Sequence, residues 1–253
     1  MFDDLSAHKE EFAKRAQVAV VGSGPAGLTL AKMLVKKGIE VILISSGTLS
    51  YDSKQQDLYE GKIVDDIPLV PLSASRLRMF GGTSNHWTGH CGPFDDIDFQ
   101  KRDFIPDSGW PIDPIELKKY YKEAQKLLEL GIYKYSSPLN EETEIFLESG
   151  DFELSYLNQN PYRFGPEWRD FFEKTENCYV LENANVTSVM LGVDGRSISE
   201  LEARSIGGQT AKIFCDYLPP ALICSTPLKL LDFALLWPYN TRVGTGSERL
   251  SEN

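Results

Sequence analysis

Two short apolar runs, separated by a helical segment, dominate the hydrophobic pattern at the start of the chain. The first run, residues 18–21, is too short for a helix and rich in β-branched residues, as expected of a strand buried in a parallel sheet. Helical spacing follows over residues 25–37 and stops at Gly38. The second run, residues 41–44, completes a pattern that predicts a βαβ unit.

Two further segments show strong helical signals. Asp113 is placed to cap a helix that has Pro114 at its first position and ends at Gly131. The apolar stripe of this helix is interpreted as core packing and comprises Leu117, Tyr120, Tyr121, Ala124, Leu127 and Leu128. Another helix is predicted over residues 164–174. Residues 1–16 are interpreted as a short amphipathic helix that leads into the first strand.

Three strand-like runs follow, over residues 183–192, 197–204 and 209–216. The pairs Asp194-Gly195 and Gly207-Gly208 separate them, and both are hairpin signals. The chain is therefore predicted to be an α/β protein, a Rossmann-like domain with an inserted antiparallel β-meander and peripheral helices. Residues 218–224 have the apolar content of a returning core strand that a proline pair interrupts, and residues 237–253 predict a flexible tail.

The turn between the first strand and the first helix carries the strongest candidate chemistry. Gly22 permits a tight turn, Gly24 lets a pyrophosphate approach the backbone, and Gly27 lets the helix pack on the sheet. The helix begins at Pro25 and Ala26, and the free N–H groups of its first turn favour an anion. Because strand, helix and second strand surround the glycines, the motif predicts a dinucleotide site; the alternative is a glycine-rich turn in an unrelated α/β domain.

The end of the second predicted strand should contact the ribose of that dinucleotide. An acidic residue normally stands there, about 20 residues after the glycines. This chain has Ser45 and Ser46 instead, and a hydroxyl can still bond a ribose diol. No arginine stands at this position to hold a 2′-phosphate, so NADP is not supported.

Residues 76–98 form a second informative segment, without helical or strand periodicity. Gly81, Gly82 and Gly89 would let backbone approach a flat ligand, and Thr83, Ser84 and Asn85 offer hydrogen bonds. His86, His90 and Cys91 also lie here, but so few ligands on one loop do not make a metal site, and none is predicted.

Composition narrows the classes of partner and location. The net charge of −11 spreads without a long basic tract, which argues against nucleic acid and anionic membranes. The first residues are too charged for a signal peptide and no apolar run reaches membrane-spanning length. The four cysteines form no C-x-x-C pair, so reduced thiols in a cytoplasmic protein are predicted.

Several motifs together resemble the glucose-methanol-choline (GMC) family of FAD oxidoreductases. They are V-V-G-S-G-P-A-G, G-G-T-S-N-H-W-T-G-H-C, D-F-I-P-D-S-G-W-P-I, R-F-G-P-E-W-R-D and L-E-N-A-N-V-T, in the family's order between residues 18 and 216. The resemblance implies that FAD is bound and that an alcohol or sugar CH-OH group passes hydride to flavin N5 while a base takes the hydroxyl proton.

The resemblance also implies where FAD would lie. The residues expected to contact it are Gly22, Gly24, Pro25, Ala26 and Gly27 at the pyrophosphate, Ser45 and Ser46 at the ribose, the Val186 backbone at the adenine, and Gly81, Gly82, Thr83, Asn85, His86, Trp87, Thr88 and Gly89 at the isoalloxazine. One branch, similar to pyranose oxidase, tethers its flavin through the histidine of an S-T-H-W-T sequence. Residues 84–88 are similar, so His86 either carries a covalent flavin or only contacts a non-covalent one.

The chain departs from the family where catalysis should reside. Family members place a catalytic histidine late in a longer chain, whereas this sequence has only His8, His86 and His90, so no catalytic residue is assigned. The expected organisation is an FAD-binding domain over residues 1–236, with a partial substrate-side segment at about residues 95–175, a largely incomplete substrate domain and the tail.

Three candidate functions are considered for this chain. The first is an FAD-dependent alcohol or sugar oxidoreductase. The second is a truncated, non-catalytic flavin-binding module, or a subunit that a partner polypeptide completes with the missing histidine. An NAD-dependent dehydrogenase is disfavoured, because it needs no histidine-tryptophan loop and usually has the acidic ribose ligand.

Overall fold

The computed structural model describes residues 1–61, 70–135, 157–193 and 197–218. They divide into two compact units, a larger one of residues 1–85 with the chain from residue 163 on, and a smaller one of residues 86–162. The elements, in chain order, are β1 (Phe2–Asp4), β2 (Phe12–Val21), α1 (Pro25–Lys36), β3 (Val41–Ile44), α2 (Ser53–Gln56), α3 (Leu72–Ser75), β4 (His90–Cys91), α4 (Pro114–Leu127), β5 (Asn158–Gln159), α5 (Phe164–Lys174), β6 (Cys178–Glu182), β7 (Asn185–Leu191), β8 (Ile198–Arg204) and β9 (Thr210–Tyr217).

The larger unit is built on a seven-stranded sheet in the order β1-β6-β3-β2-β9-β8-β7. The strands from β1 to β9 in this order pair in parallel, and β9, β8 and β7 pair antiparallel. The predicted α/β fold with an inserted meander is therefore confirmed. The meander joins the sheet through β9, which lies parallel to β2 with Val18 opposite Tyr217.

The βαβ unit formed by β2, α1 and β3 also matches the prediction. All four residues of β3 are buried, as expected of a strand in the middle of the sheet. Periodicity predicts Leu30, Ala31, Leu34 and Val35 as the inner face of helix α1. Ala31 and Val35 are buried, together with Gly27 and Leu28, whereas Leu30 and Leu34 are half-buried. Gly38, with φ of +80°, follows its end as predicted.

The predicted helix over residues 1–16 is wrong, because these residues form β1 and the first half of β2. Alternate residues of β2 are exposed from its start to Gln17. In this half the strand pairs with β9, and its pairing with β3 begins only at Val18. Lys14 and Arg15 lie in this strand and not on a helix. Arg15 instead forms an exposed ion pair across the strands with Asp216, at 2.6 Å. A partner strand far along the sequence decides the structure here, and local propensity does not.

The apolar stripe of α4 is not a buried core face among the described residues, which corrects a second prediction. Tyr120 is 53% exposed and Ala124 is also exposed, while the rest of the stripe is half-buried. The buried residue of the helix is Gln125, whose amide donates to the carbonyls of Leu130 and Ile132. The chain that follows α4 packs over Gln125, so the covered face is rotated relative to the stripe. The helix itself was predicted correctly, with the Asp113 carboxylate capping the Ile115 N–H at 2.8 Å.

Some predictions fall on residues outside the described part. They concern the Asp194-Gly195 turn, the strand containing Pro219 and Pro220, and the tail over residues 237–253. The domain boundaries also stay predictions. Of the cysteines, Cys91, Cys178 and Cys215 are free, and Cys224 lies outside the described residues. No helix in the described ranges combines the length and apolar character needed to cross a membrane.

Candidate functional site

The turn after β2 is shaped to receive a group at the start of α1. Gly22 has φ of +98°, and its N–H donates to the Ile44 carbonyl at 2.8 Å, which fixes the turn against β3. Gly24 is the N-cap residue of α1, and no side chain caps the helix. A Cβ atom added to Gly24 would meet no protein atom within 4 Å, whereas one at Gly27 would lie 1.9 Å from the Gly22 carbonyl oxygen. Gly27 thus closes the turn, and Gly24 leaves open space in front of the helix.

The two serines after β3 have different surroundings. Ser45 is fully buried, its N–H donates to the Leu181 carbonyl at 2.8 Å, and its hydroxyl donates to the Gly47 carbonyl at 2.6 Å. The Ser23 hydroxyl lies 2.7 Å from the Ser45 hydroxyl, so a hydrogen-bonded chain joins the glycine turn to the end of β3. Ser46 is only half-buried. Ser45 therefore supports the turn, whereas Ser46 keeps part of its surface exposed.

The glycine-rich loop lies directly on the glycine turn within the larger unit. The Gly81 N–H donates to the Ser23 carbonyl at 2.8 Å, and the Phe80 N–H donates to the Thr48 carbonyl at 2.9 Å. A Cβ atom on Gly82, which has φ of +58°, would lie 3.0 Å from the Gly24 Cα atom. The structure therefore brings two separately predicted glycine segments into contact.

The start of α5 supports this loop. The buried Ser84 hydroxyl donates to the Gly81 carbonyl at 2.7 Å, and Arg163 donates to the Ser84 carbonyl at 2.8 Å. A Cβ atom on Gly81 would lie 2.5 Å from the Gly165 nitrogen, so two backbones touch here. This contact was not predicted, although Gly165 was recognised as part of a motif.

The hydrogen-bonding residues predicted in this loop have protein partners of their own. The Asn85 amide donates to the Phe80 carbonyl at 2.9 Å, while its Oδ1 atom is buried without a partner. The Thr83 hydroxyl accepts from the Leu77 N–H at 3.3 Å. These side chains therefore shape the loop.

The remaining predicted residues of the loop belong to the smaller unit. His86 is exposed, and the Trp87 indole N–H donates to the Tyr162 carbonyl at 2.8 Å. The Thr88 hydroxyl lies 2.9 Å from His90 Nδ1. Gly89 has φ of +80°, and its added Cβ would lie 2.1 Å from the Asn160 carbonyl oxygen. Gly89 is therefore required by close backbone packing inside that unit.

Val186 is the second residue of β7, the strand at one edge of the sheet, and lies next to a polar cluster that was not predicted. Arg78 donates through Nη2 to Asn185 Oδ1 at 2.9 Å and lies 4.8 Å from the centre of the Tyr59 ring. Burial lowers the pKa of the Arg78 guanidinium, an effect that the neighbouring Tyr59 side chain opposes. Arg78 comes from the segment before the glycine loop, so spacing from Gly22 could not reveal it.

Metal ligands do not converge in the part of the chain that the structure describes. No group of three or more His, Cys, Asp or Glu side chains there could hold an ion. Residues 86, 90 and 91 were considered as metal ligands. His90 contacts Thr88, and burial raises the pKa of the Cys91 thiol.

We expect separate effects from the two serines. Ser45→Ala removes a buried hydroxyl that holds Ser23 and Gly47, so the free energy of unfolding should fall by about 1–3 kcal/mol. Ser46→Ala should change stability by no more than about 0.5 kcal/mol but weaken dinucleotide binding about threefold to tenfold, the effect of one lost hydrogen bond. Thermal unfolding and ligand titration of both variants measure these effects. A larger loss of affinity in stable Ser45→Ala than in Ser46→Ala would contradict the assignment.

Comparison with known proteins identifies the dinucleotide. Residues 15–59 match the family described as an FAD binding domain, and this range includes β3 and both serines. The predicted cofactor, FAD, is thereby confirmed. No curated protein matches the chain.

Two solved structures illustrate the level of structural similarity. A formate oxidase variant from Aspergillus oryzae RIB40 has 16% identity and a TM-score of 0.48, over 81% of this chain and 45% of that one. Pyridoxine 4-oxidase from Mesorbium loti has 19% identity and a TM-score of 0.43, over 80% of this chain and 48% of that one. The chain thus spans less than half the length of these proteins, and similarity at this level assigns no family.

Proposed function

We propose that the chain is the FAD-binding part of a GMC-type oxidoreductase that acts on the CH-OH group of an alcohol or sugar. The observation that carries the proposal is the contact of the Gly81-Gly82 loop with the Gly24 turn, because the family motifs containing them converge in one site. Bound FAD would supply a ring system that accepts hydride at N5.

The residues at the turn fit a diphosphate. Gly24 leaves open space in front of α1, and the helix start has no side-chain cap, so its first N–H groups are directed at that space. In this proposal the turn holds the pyrophosphate, Ser46 contacts the ribose, and the Val186 backbone contacts the adenine. Gly81 and Gly82 limit the site on the side of the loop and exclude water from it.

The positions of the three histidines do not identify the base that removes the hydroxyl proton. His8 Nε2 lies 2.9 Å from Asp3 Oδ2 beside β1, which two strands separate from β2. His86 is exposed, and His90 contacts Thr88. No base is therefore assigned among these three residues, and the second candidate function is a non-catalytic flavin-binding module or a subunit that needs a partner polypeptide for its catalytic histidine.

The visible spectrum of the purified chain tests the proposal. We expect stoichiometric flavin absorbance, which an NAD-dependent dehydrogenase would not show. Anaerobic bleaching by an added alcohol or sugar would select the oxidoreductase, while stable absorbance would select the non-catalytic module. A colourless protein that takes up no added FAD would contradict both.

Acid precipitation of the same preparation tests the covalent form of the proposal. Colour retained in the pellet of the parent protein, and lost in His86→Ala, would establish the tether. Colour found entirely in the supernatant would leave His86 as a residue that only contacts the flavin.

A further inference from the structure

A guanidinium lies near the edge of the sheet where dinucleotide-binding domains usually hold a carboxylate. The Arg78 carbonyl packs against Gly47, the residue after Ser46, so closely that a Cβ atom on Gly47 would lie 2.2 Å from it. Arg78 therefore passes beside the position that the ribose is expected to occupy.

The side chain of Arg78 is held in one direction. Its Nη2 atom donates to Asn185 Oδ1 at 2.9 Å, and the Asn185 amide donates to Gln55 Oε1 at 3.2 Å. Asn185 directly precedes Val186, and the Ala184 N–H donates to the Ser45 carbonyl at 3.0 Å. The guanidinium is thus directed toward β7 from the end of β3, along the expected path of an adenosine group.

The charge of Arg78 is not neutralised by a carboxylate in the residues that the structure describes. None of their ion pairs includes Arg78, and its Nε atom is buried without a hydrogen-bond partner. Partial burial of an unpaired cation costs free energy, which a bound ligand with acceptor atoms would offset. The guanidinium presents five N–H donors in a planar fork, and its hydrogen bonds to Asn185 and to the Tyr59 side chain use only part of them.

We infer that Arg78 positions the adenosine half of FAD by donating hydrogen bonds to its ribose oxygens. The inference rests on the proposed function. A carboxylate at this place accepts hydrogen bonds from the ribose hydroxyls, but hydroxyl oxygens also accept, so a donor can take over the role. Small shifts of the side chain bring the guanidinium N–H groups to the ligand, while the contacts with Asn185 and Tyr59 keep the guanidinium plane in its orientation.

The experiment compares Arg78→Met and Arg78→Lys with the parent chain. The matched control is Arg15→Met, which removes an exposed arginine whose partner is Asp216 on the surface. Flavin fluorescence on titration gives the Kd of FAD for the flavin-free protein, and displacement by AMP reports the adenosine half alone. Thermal unfolding of each flavin-free variant checks its fold.

We expect Arg78→Met to raise the Kd of FAD about tenfold to 100-fold and to abolish competition by AMP, because charge-assisted hydrogen bonds are lost. The Kd of Arg78→Lys should fall between those of Arg78→Met and the parent, and the Kd of Arg15→Met should equal that of the parent.

Unchanged FAD and AMP affinities in a folded Arg78 variant would overturn the inference and leave the proposed function standing. Stronger displacement of FAD by adenosine 2′,5′-bisphosphate than by AMP would also overturn it, since Arg78 would then serve a 2′-phosphate. A parent chain that binds neither FAD nor AMP would overturn inference and proposed function together.

Discussion

Gly24→Val should reduce the FAD affinity of this chain at least about 100-fold, so that the purified variant carries almost no flavin. The valine side chain would fill the space that lies open in front of α1. Overpacking of a well-fitted site costs about 1–3 kcal/mol, and each lost hydrogen bond to a charged phosphate costs about 1.5–3 kcal/mol. Absorbance of the flavin relative to protein, before and after incubation with excess FAD, measures the loss.

The flavin-free fold should survive this substitution. Gly24 has φ of −75° and ψ of 179°, which valine adopts without strain, and its Cβ meets no protein atom within 4 Å. Valine is a poor N-cap residue, so a loss of about 1 kcal/mol is expected. Gly24→Asp offers a matched test, because aspartate caps the helix well but places a carboxylate where the phosphates must lie. Wild-type flavin content in either variant would contradict a pyrophosphate at this turn.

The sequence predicted the βαβ unit well because its signals are local. The apolar runs, the glycines of the turn and Gly38 after the helix all lie within a few residues of the structure that they determine. The meander was predicted for a similar reason, since its runs alternate and Gly207-Gly208 joins two of them. The second of these glycines adopts φ of +92°.

The sequence predicted β1, β6 and the first half of β2 poorly because distant partners determine these strands. Phe12 pairs with Ala211, and Phe2 pairs with Val180. Each of these strands therefore depends on a partner far along the chain. The run C-Y-V-L-E of β6 is a usable strand signal, although no strand was predicted there. Its apolar residues are buried between β1 and β3.

Within the candidate site, the sequence located the glycines but not the side chains around them. Nothing in the sequence separates Ser45 from Ser46, because only the ladder to Leu181 decides which serine is buried. Arg78 approaches Asn185 through the tertiary fold and not through any spacing. Gly165 was recognised as part of a motif, but its contact with the glycine loop appears only when α5 is placed on that loop.

Gly165→Ala should destabilise the protein by about 2 kcal/mol and weaken FAD binding as well. Alanine favours a helix over glycine by about 1 kcal/mol, but its Cβ would lie 2.3 Å from the Phe80 carbonyl oxygen, and Phe80 is fully buried. The rigid backbone on both sides must shift, which typically costs about 1–3 kcal/mol or more and outweighs the gain in propensity. Such a shift would move Gly81 and Gly82 relative to Gly24.

Denaturant unfolding and FAD titration measure both effects. The control is Gly61→Ala, whose added Cβ meets no atom within 4 Å and whose free energy of unfolding should stay within about 0.5 kcal/mol of the parent. Equal stability of the two variants would mean that α5 does not press on the loop as described.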